Sequence, residues 1–385
     1  MFETFLNLEE SATVAINSLA QEKKAKGERV YNLSAGEPML SPHPAVAKVA
    51  SIAIAEGKTL YPPVAGIPPL RQASAQWLNT TYQTNYQTAN TLITCGGKFG
   101  IFAACQAFLK PDDEVLIPAP YWVSYPAIVK LFGGKPITVM GDETNNWKVS
   151  ALELEKLATP KTKMLILNNA GNPTGSLYAR TELAEIVSLA KARGWMIISD
   201  EVYSGLSYDG EFISLGSFPE ITDNLILVQS FSKHFAMTGW RVGMIFAPEY
   251  AIKILTKIQG QSTTGTSSIS QYAALSALEN ATEIQTQVCA EMRSRRDALV
   301  AELNTFSKEK ISAPASGLYL FFPLKILGVE NITSAEFCLK ILRDANIALV
   351  PGSAFGCEGY ARASFGAPVE ELKDAVSALK KYLKM

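Results

Sequence analysis

One lysine in the sequence lies in surroundings that suit imine chemistry. Lys233 follows Ser230 and Ser232, in a segment that comes directly after an apolar run. A lysine amine becomes less basic when it is desolvated or when other cations lie nearby, and it can then attack a carbonyl carbon. Arg241, eight residues further on, has the planar guanidinium that can hold a phosphate with two parallel hydrogen bonds. The segment therefore favours a reactive amine beside an anion site over a solvated lysine and an ion-paired arginine.

An acidic residue ends another apolar run. Asp200 follows Met196–Ser199, which places its carboxylate at the end of a predicted strand, at least partly buried. A buried lone carboxylate is costly unless it meets a cation or hydrogen-bond donors. A ligand with a protonated ring nitrogen would supply the cation, whereas an aspartate that caps the next helix would need no ligand. Taken alone, the sequence leaves both interpretations of Asp200 open.

A polar turn follows a third apolar run. Residues Asn168–Gly175 come directly after Met164–Leu167 and are rich in Asn, Pro and Gly. In open α/β sheets, ligands bind beyond the carboxyl ends of the strands, where such turns lie. An ordinary loop between a strand and a helix explains the turn better when it is considered by itself, so it indicates a site only together with Lys233 and Asp200.

The apolar runs and the segments between them predict the scaffold that carries these residues. Each run is short and bounded by Pro, Gly, Asn, Asp or Ser, and intervening segments such as Thr181–Arg193 have the helical spacing of Leu, Ile and Ala. This alternation predicts an α/β domain with a mostly parallel sheet that is buried on both faces. The predicted strands are Val115–Ile117, Met164–Leu167, Met196–Ser199, Leu225–Gln229 and Gly243–Phe246.

The two ends of the chain have a different pattern. A helix is predicted at Thr13–Lys26, before the extended segment Arg29–Leu33. In the C-terminal part of the chain, the residue pattern predicts three helices and one strand. We predict a large domain at residues 46–285 and a smaller domain formed by residues 1–45 and 286–385. The predicted elements of the second end are a long helix from about Ala281, the strand Leu318–Phe322 after a break at Pro314–Gly317, and helices at Thr333–Ala345 and Val369–Tyr382.

Composition and charge argue against several classes of function. The 385 residues are 48% hydrophobic and 18% charged, with a formal net charge of −1, which fits a globular protein and predicts no nucleic-acid or membrane partner. The N-terminus lacks a basic region, so no secretory signal is predicted. Five cysteines without paired spacing predict reduced thiols and a cytoplasmic location, and only two histidines make a zinc site or a Ser-His-Asp triad improbable.

Together, the three segments resemble the fold-type I pyridoxal-phosphate enzymes, and specifically the class I aminotransferases, including the bacterial aspartate aminotransferases. Asp200, Lys233 and Arg241 follow one another at intervals of 33 and 8 residues. The resemblance covers nearly the whole chain and implies a mostly parallel seven-stranded sheet flanked by helices, plus a smaller α+β domain from both termini. Further motifs that carry it are Ser34–Pro38, Tyr61–Pro68, Cys95–Lys98, Pro120–Pro126, Ser316–Tyr319 and Ala361–Ser364.

The resemblance implies pyridoxal 5′-phosphate as the cofactor and a role for each matched residue. Lys233 would hold the cofactor as a Schiff base and, once released, would carry the proton of the substrate α-carbon. Asp200 would keep the pyridine nitrogen protonated, so that the ring accepts electrons. Asn172 and Tyr203 would donate hydrogen bonds to the ring 3′-oxygen, and Trp122 would stack against the ring. The remaining implied cofactor-binding residues are Gly96, Gly97, Lys98, Ser230, Ser232, Arg241 and, from a neighbouring subunit of a homodimer with shared sites, Tyr61.

The resemblance also implies how an amino acid and a 2-oxo acid would bind. Arg362 would hold the α-carboxylate, and Lys98 would hold the distal carboxylate of a substrate such as aspartate. We therefore predict amino transfer from aspartate to 2-oxoglutarate by a ping-pong mechanism, with aromatic or prephenate-type substrates still open because Lys98 also suits them. The other implied substrate-binding residues are Ser11, Thr13, Gly36, Trp122 and Asn172.

Two other functions are compatible with part of this pattern. A β-lyase or a decarboxylase would use the same cofactor, but the predicted retention of both carboxylates by Arg362 and Lys98 favours amino transfer. An effector-binding transcription regulator would need an added basic DNA-binding domain, for which this chain has neither the length nor the charge. Gly171 departs from the family's usual Asn or His, and His234 replaces a usually small or aromatic residue; we predict that His234 is a packing residue.

Overall fold

The structure is a computed structural model, and it describes residues 12–384. The helices are α1 (Ala12–Ala25), α2 (Pro44–Ala55), α3 (Pro68–Tyr82), α4 (Gly97–Phe108), α5 (Ser124–Leu131), α6 (Ala151–Leu157), α7 (Arg180–Arg193), α8 (Glu249–Gly260), α9 (Ser268–Glu279), α10 (Ala281–Leu303), α11 (Ser334–Ala345) and α12 (Val369–Leu383). The strands are β1 (Tyr31–Asn32), β2 (Thr91–Thr94), β3 (Glu114–Ala119), β4 (Lys135–Met140), β5 (Thr162–Asn168), β6 (Met196–Asp200), β7 (Leu225–Ser230), β8 (Gly243–Phe246), β9 (Tyr319–Pro323), β10 (Ile347–Ala348), β11 (Val350–Pro351) and β12 (Tyr360–Ser364).

A seven-stranded sheet forms the centre of the molecule. Its strand order is β2-β8-β7-β6-β5-β3-β4, and the five strands from β7 to β4 run parallel. Strand β8 runs antiparallel to both of its neighbours, β2 and β7. The predicted α/β class with a mostly parallel, seven-stranded sheet is therefore confirmed.

Apolar side chains bury this sheet from both sides. Ile198 and Val228 belong to one hydrophobic cluster, together with Ile101 of α4 and Leu255 of α8. The preceding residues, Ile197 of β6 and Leu227 of β7, point to the opposite face and belong to a second, larger cluster. Because both faces are covered, the central strands β5, β6 and β7 each contain a continuous apolar run, and each of them ends in a polar residue.

The two ends of the chain meet beside the large sheet. Strand β1, near the start of the described residues, pairs in parallel with β10 near the other end. Strands β11, β12 and β9 form an antiparallel sheet, and α12 packs against α10. The arrangement agrees with a smaller unit built from both termini, while the domain boundaries at residues 45/46 and 285/286 remain predictions. None of the helices in residues 12–384 is long and apolar enough to cross a membrane.

Candidate active site

A single cavity brings together most of the residues that the sequence singled out. Its volume is about 540 Å³, and it opens where the carboxyl ends of β5, β6 and β7 face the segments around Gly36 and Arg362. Lys233 and Asp200 both line it, so the amine and the acid share one enclosed space. The other predicted site residues in its wall are Thr13, Gly36, Gly97, Lys98, Trp122, Asn172, Tyr203, Ser230, Ser232, Arg241 and Arg362.

Lys233 lies in a turn directly after β7, with its amine directed into the cavity. The Nζ atom donates a hydrogen bond to the carbonyl oxygen of Gly36, which belongs to the N-terminal segment. Burial lowers the pKa of Lys233 below its ordinary value, because desolvation penalises the charged ammonium. A larger share of the neutral amine is thus available, and the neutral form is the nucleophile.

Asp200, the last residue of β6, is a buried acid held by two donors. Its side chain is 3% exposed; the hydroxyl of Tyr125 donates to Oδ2 at 2.6 Å and the N–H of Val202 donates to Oδ1 at 3.3 Å. Burial raises the pKa of Asp200 to about 6, against the lowering effects of Tyr125, Val202 and the Lys233 charge. A cationic ligand atom beside Asp200 would offset the cost of ionisation and would itself be kept protonated.

The other end of the cavity is built to receive an anion. Helix α4 begins at Gly97, so Gly97 lies in its positive first turn. Gly96 has φ +82°, and a β-carbon there would lie 2.6 Å from Nη2 of Arg241. A β-carbon on Gly243 would likewise lie 2.5 Å from the carbonyl carbon of Gly96. Glycine at these positions lets the turn, the helix start and the guanidinium converge.

Hydroxyl groups and a second cation complete that end. Ser230 Oγ donates to Ser232 Oγ at 2.9 Å, and both serines line the cavity. Lys98 Nζ lies 4.8 Å from the centre of the Trp122 ring, and burial followed by the Arg241 charge lowers the pKa of Lys98. Two cations that lie close enough for the charge of one to lower the pKa of the other indicate a site that is stabilised by bound negative charge.

Arg362 supplies a third cation on the opposite wall. Its side chain is 1% exposed, and burial lowers its pKa. Nη1 donates to Oδ1 of Asn172 at 3.1 Å, Nη2 donates to the carbonyl oxygen of Ser34 at 2.9 Å, and Nε has no hydrogen-bond partner within residues 12–384. None of the ion pairs found in the described residues includes Arg362. A buried guanidinium held by neutral groups is suited to a carboxylate ligand.

A network of amide and phenol groups connects the two walls. Asn172 Nδ2 donates to the hydroxyl of Tyr203 at 3.5 Å, and that hydroxyl lies 3.0 Å from the hydroxyl of Tyr319. The two residues implied to bind one ring oxygen, Asn172 and Tyr203, are therefore adjacent in the fold.

Sequence reasoning gave no role to two tyrosines of this site. Tyr125 contacts Asp200, and Tyr319 contacts Tyr203; both line the cavity. Each belongs to a motif that supported the family resemblance, Pro120–Pro126 or Ser316–Tyr319, but residue type alone does not show which carboxylate or phenol a buried hydroxyl will meet.

Three predicted site residues are not seen in the cavity wall. Gly96 lies directly before the lining residue Gly97 and acts by its backbone shape. Tyr61 is 91% exposed and is not among the residues that line the cavity of its own chain. Ser11 falls outside the described residues, whereas its predicted companion Thr13 lines the cavity with a buried Oγ1 that has no hydrogen-bond partner within residues 12–384.

The two departures from the family pattern have structural explanations. His234 is fully buried, with its ring 5.7 Å from that of Trp77, and burial lowers its pKa to about 3. It lies outside the cavity wall, in agreement with the predicted packing role. At Gly171, a β-carbon would lie 2.8 Å from Oγ1 of Thr174, so glycine allows the turn to close tightly.

Comparison with known proteins gives a consistent result. The sequence profile of the family described as aminotransferase class I and II matches residues 28–379. The chain is 34% identical to a probable aspartate/prephenate aminotransferase of Aquifex aeolicus, over 98% of this chain and 97% of that one. Among solved structures, aspartate aminotransferase from Thermus thermophilus with maleate is 33% identical with a TM-score of 0.93, covering 98% of each chain. An aromatic aminotransferase from Pyrococcus horikoshii is 33% identical with a TM-score of 0.88, covering 95% of this chain and 98% of that one.

Proposed function

Because the chain belongs to the class I and II aminotransferase family, we propose that it transfers the amino group of aspartate, or of a similar amino acid, to 2-oxoglutarate. Pyridoxal 5′-phosphate would be the cofactor. One observation carries the proposal: a cavity of about 540 Å³ contains a partly buried amine, Lys233, a buried acid, Asp200, and a buried guanidinium, Arg362.

The residues present fit pyridoxal 5′-phosphate. The start of α4, the Ser230 and Ser232 hydroxyls and Arg241 form a donor set for a phosphate, and Asp200 suits a protonated ring nitrogen. Asn172 and Tyr203 present polar groups for a ring oxygen, and Trp122 offers a ring face. When bound, the cofactor supplies an electron-withdrawing ring that makes the substrate α-carbon acidic.

Lys233 and Asp200 would divide the acid–base work. Lys233 would hold the cofactor aldehyde covalently and would later accept the proton of the substrate α-carbon, since its lowered pKa keeps the amine available as a base. Asp200 would remain ionised beside the ring nitrogen and keep that nitrogen protonated. The hydroxyl of Tyr125, which donates to Asp200 at 2.6 Å, supports the ionised form.

The substrate would be held at its carboxylates. Arg362 would receive the α-carboxylate, with its plane fixed by the hydrogen bonds to Asn172 and Ser34. Lys98 and Thr13 would contact a second carboxylate from the opposite wall of the cavity. Relatives whose names include prephenate or aromatic substrates make an aromatic amino acid the alternative donor.

Tyr61 supports the proposal of a homodimer with shared sites. Its side chain is 91% exposed and its neighbour Leu60 is 81% exposed, so both are available to a second copy of the chain. We propose that Tyr61 contacts the phosphate in the partner's cavity. A cytoplasmic location remains a prediction.

An absorption spectrum and a panel of amino donors test the proposed function. The purified protein with pyridoxal 5′-phosphate should absorb in the visible range, lose that band on addition of aspartate, and regain it with 2-oxoglutarate. Lys233→Ala should bind the cofactor without this band. A wild-type protein that binds no cofactor would contradict the proposal.

The donor panel separates the candidate substrates and the alternative reaction. With 2-oxoglutarate as acceptor, aspartate should give the highest kcat/KM, Lys98→Ala should lose activity selectively with dicarboxylates, and Arg362→Ala should raise KM for every donor. A higher efficiency with aromatic donors would favour the alternative substrate class. Formation of pyruvate from cystathionine without any 2-oxo acid would instead indicate a β-lyase.

A further inference from the structure

Tyr319 lies between the cofactor end and the carboxylate end of the cavity. It begins β9, which pairs with β12 so that Tyr319 faces Ser364 and Phe321 faces Arg362. Alternate residues of a strand share a face, so Tyr319 and Arg362 are diagonal neighbours on one face of this small sheet. The guanidinium carbon of Arg362 lies 4.0 Å from the centre of the Tyr319 ring. The ring therefore supports the predicted carboxylate-binding group.

The hydroxyl of Tyr319 contacts the cofactor end. It lies 3.0 Å from the hydroxyl of Tyr203, so one of the two phenols donates to the other. On another side, a β-carbon on Gly36 would overlap the Tyr319 oxygen, which shows how closely the backbone approaches it. The pair of hydroxyls is thus fixed in place between Arg362 and the residues implied to bind the cofactor ring.

The surroundings of the two hydroxyls differ in charge. Burial raises the pKa of Tyr203 well above its ordinary value, and the nearby Asp200 acts in the same direction. Burial also acts to raise the pKa of Tyr319, but the Arg362 and Lys233 cations outweigh it and lower that pKa. With the guanidinium against its ring, Tyr319 is therefore the phenol of the pair that responds most directly to a change of charge at Arg362.

We propose that Tyr319 is a positioning residue that couples carboxylate binding at Arg362 to the direction of the Tyr203 hydroxyl. Without a carboxylate, the Arg362 cation lies directly against the Tyr319 ring, whose hydroxyl contacts that of Tyr203. A bound carboxylate offsets the Arg362 charge, so the hydrogen bond between the two hydroxyls changes. Tyr203 is implied to contact the ring oxygen of the cofactor, and the change therefore reaches that oxygen.

The fold provides a second route for the same coupling, which limits the expected effect. Asn172 accepts from Arg362 through Oδ1 and donates to Tyr203 through Nδ2. Loss of the Tyr319 hydroxyl should therefore reduce the communication between Arg362 and Tyr203 without abolishing it. Tyr319→Phe keeps the ring against the guanidinium and removes only the hydroxyl, which separates coupling from simple support of Arg362.

The test is a pH titration of the visible absorption of the bound cofactor, with and without saturating maleate. Maleate is a dicarboxylate without an amino group, so it can bind but cannot transfer an amino group. The inference rests on the proposed function, because the titration requires bound pyridoxal 5′-phosphate. In the wild-type holoenzyme, maleate should shift the midpoint of the titration. In Tyr319→Phe, we expect that shift to be smaller by roughly half a pH unit or more.

Two further variants make the result decisive. Tyr203→Phe should lose at least as much of the shift, and adding Tyr319→Phe to it should cause no further loss, because both act through one contact. Tyr360→Phe removes a hydroxyl from the neighbouring strand β12, where it donates to Glu143 at 2.6 Å, and should keep the wild-type shift.

The outcomes separate the coupling from the proposed function. A full maleate shift in Tyr319→Phe, or an absent shift in the wild-type holoenzyme, would overturn the coupling while the cofactor assignment stands. A wild-type protein without the cofactor band would instead contradict the proposed function, and the coupling with it.

Discussion

Two consecutive carboxylates at the end of β6 face opposite sides of the sheet and meet different surroundings. Asp200 faces the cavity, where Tyr125 and Val202 donate to it. Glu201 faces the interior, where Ser199 Oγ and the N–H of Leu215 each donate to Oε1 at 2.9 Å. Its other oxygen, Oε2, has no hydrogen-bond partner within residues 12–384. Both side chains are buried, but only Asp200 has room beside it for a ligand.

Burial affects both acids in the same direction. It raises the pKa of Asp200 to about 6 and that of Glu201 to about 7. A raised pKa by itself therefore does not identify the functional acid, because a structural carboxylate behind the sheet has one too. The cavity and the nearby amine of Lys233 distinguish Asp200.

The largest expected effect is on turnover. Asp200→Asn should lower kcat by about a thousandfold, because a preorganised charge beside the reacting group is lost, while the fold is retained. Steady-state kinetics with aspartate and 2-oxoglutarate, with circular dichroism as a check on folding, measure this. Glu201→Gln is the matched control and should keep kcat near the wild-type value. Equal losses of kcat in the two variants would contradict the assignment of Asp200, and not Glu201, as the functional acid.

The second largest effect concerns the free energy of unfolding and comes from Glu201, on the interior side of the sheet. The folded-state pKa of Glu201 is raised from 4.5 to about 7, so the folded protein holds a proton that the unfolded chain has already lost. The associated stability is fully present below pH 4.5 and is lost as the pH rises through about 7, a fall of about 3 kcal/mol in the free energy of unfolding.

Denaturant unfolding at several pH values measures this fall. Wild-type protein and Glu201→Gln are compared without cofactor, and the Gln variant should lose less stability over the same interval. Asp200 contributes to the pH dependence of both proteins, so the difference between the two profiles reports Glu201 together with its interaction with Asp200. Parallel pH profiles would contradict a buried, protonated Glu201.

The smallest expected effect concerns the hydrogen bond that Tyr125 donates to Asp200. Because its hydroxyl lowers the pKa of Asp200, Tyr125→Phe should raise that pKa by about one unit. The affinity for pyridoxal 5′-phosphate requires ionised Asp200, so the acid side of its pH profile should move to higher pH. The dissociation constant measured from pH 5 to 8 reports this shift.

Tyr82→Phe provides the control for Tyr125→Phe. The Tyr82 hydroxyl donates to Ser204 at 2.9 Å on the interior side, near Glu201, and its loss should leave the profile of cofactor affinity in place. An unchanged profile in Tyr125→Phe, or the same shift in both variants, would contradict the assigned role of Tyr125.

The sequence was most informative where residues follow buried strands. The predicted strands Met196–Ser199 and Leu225–Gln229 each extend by one residue in the structure, to Asp200 and to Ser230. Gly243–Phe246 has the predicted bounds, yet it runs antiparallel, because direction depends on the connection and not on the apolar run. Chain order and strand ends were thus enough to place Asp200 and Lys233 at one edge.

Other elements could not be predicted from local patterns. Strand β4 carries Lys135 and Pro136 and is only partly buried, so it lacks a continuous apolar run. Strand β2 has a threonine at each end and only two apolar residues between them, so it lacks an apolar run. The contacts of Tyr125 and Tyr319 join residues 75 and 116 positions apart in sequence, and only the folded chain shows them.

The most direct test of the account locates the covalent attachment of the cofactor. The holoenzyme is treated with borohydride, which reduces a carbon–nitrogen double bond to a stable single bond, and the digested protein is analysed by mass spectrometry. We predict one phosphopyridoxyl group, on the peptide that contains Lys233. A label on another lysine, or none in a protein that binds the cofactor and turns over aspartate, would contradict it.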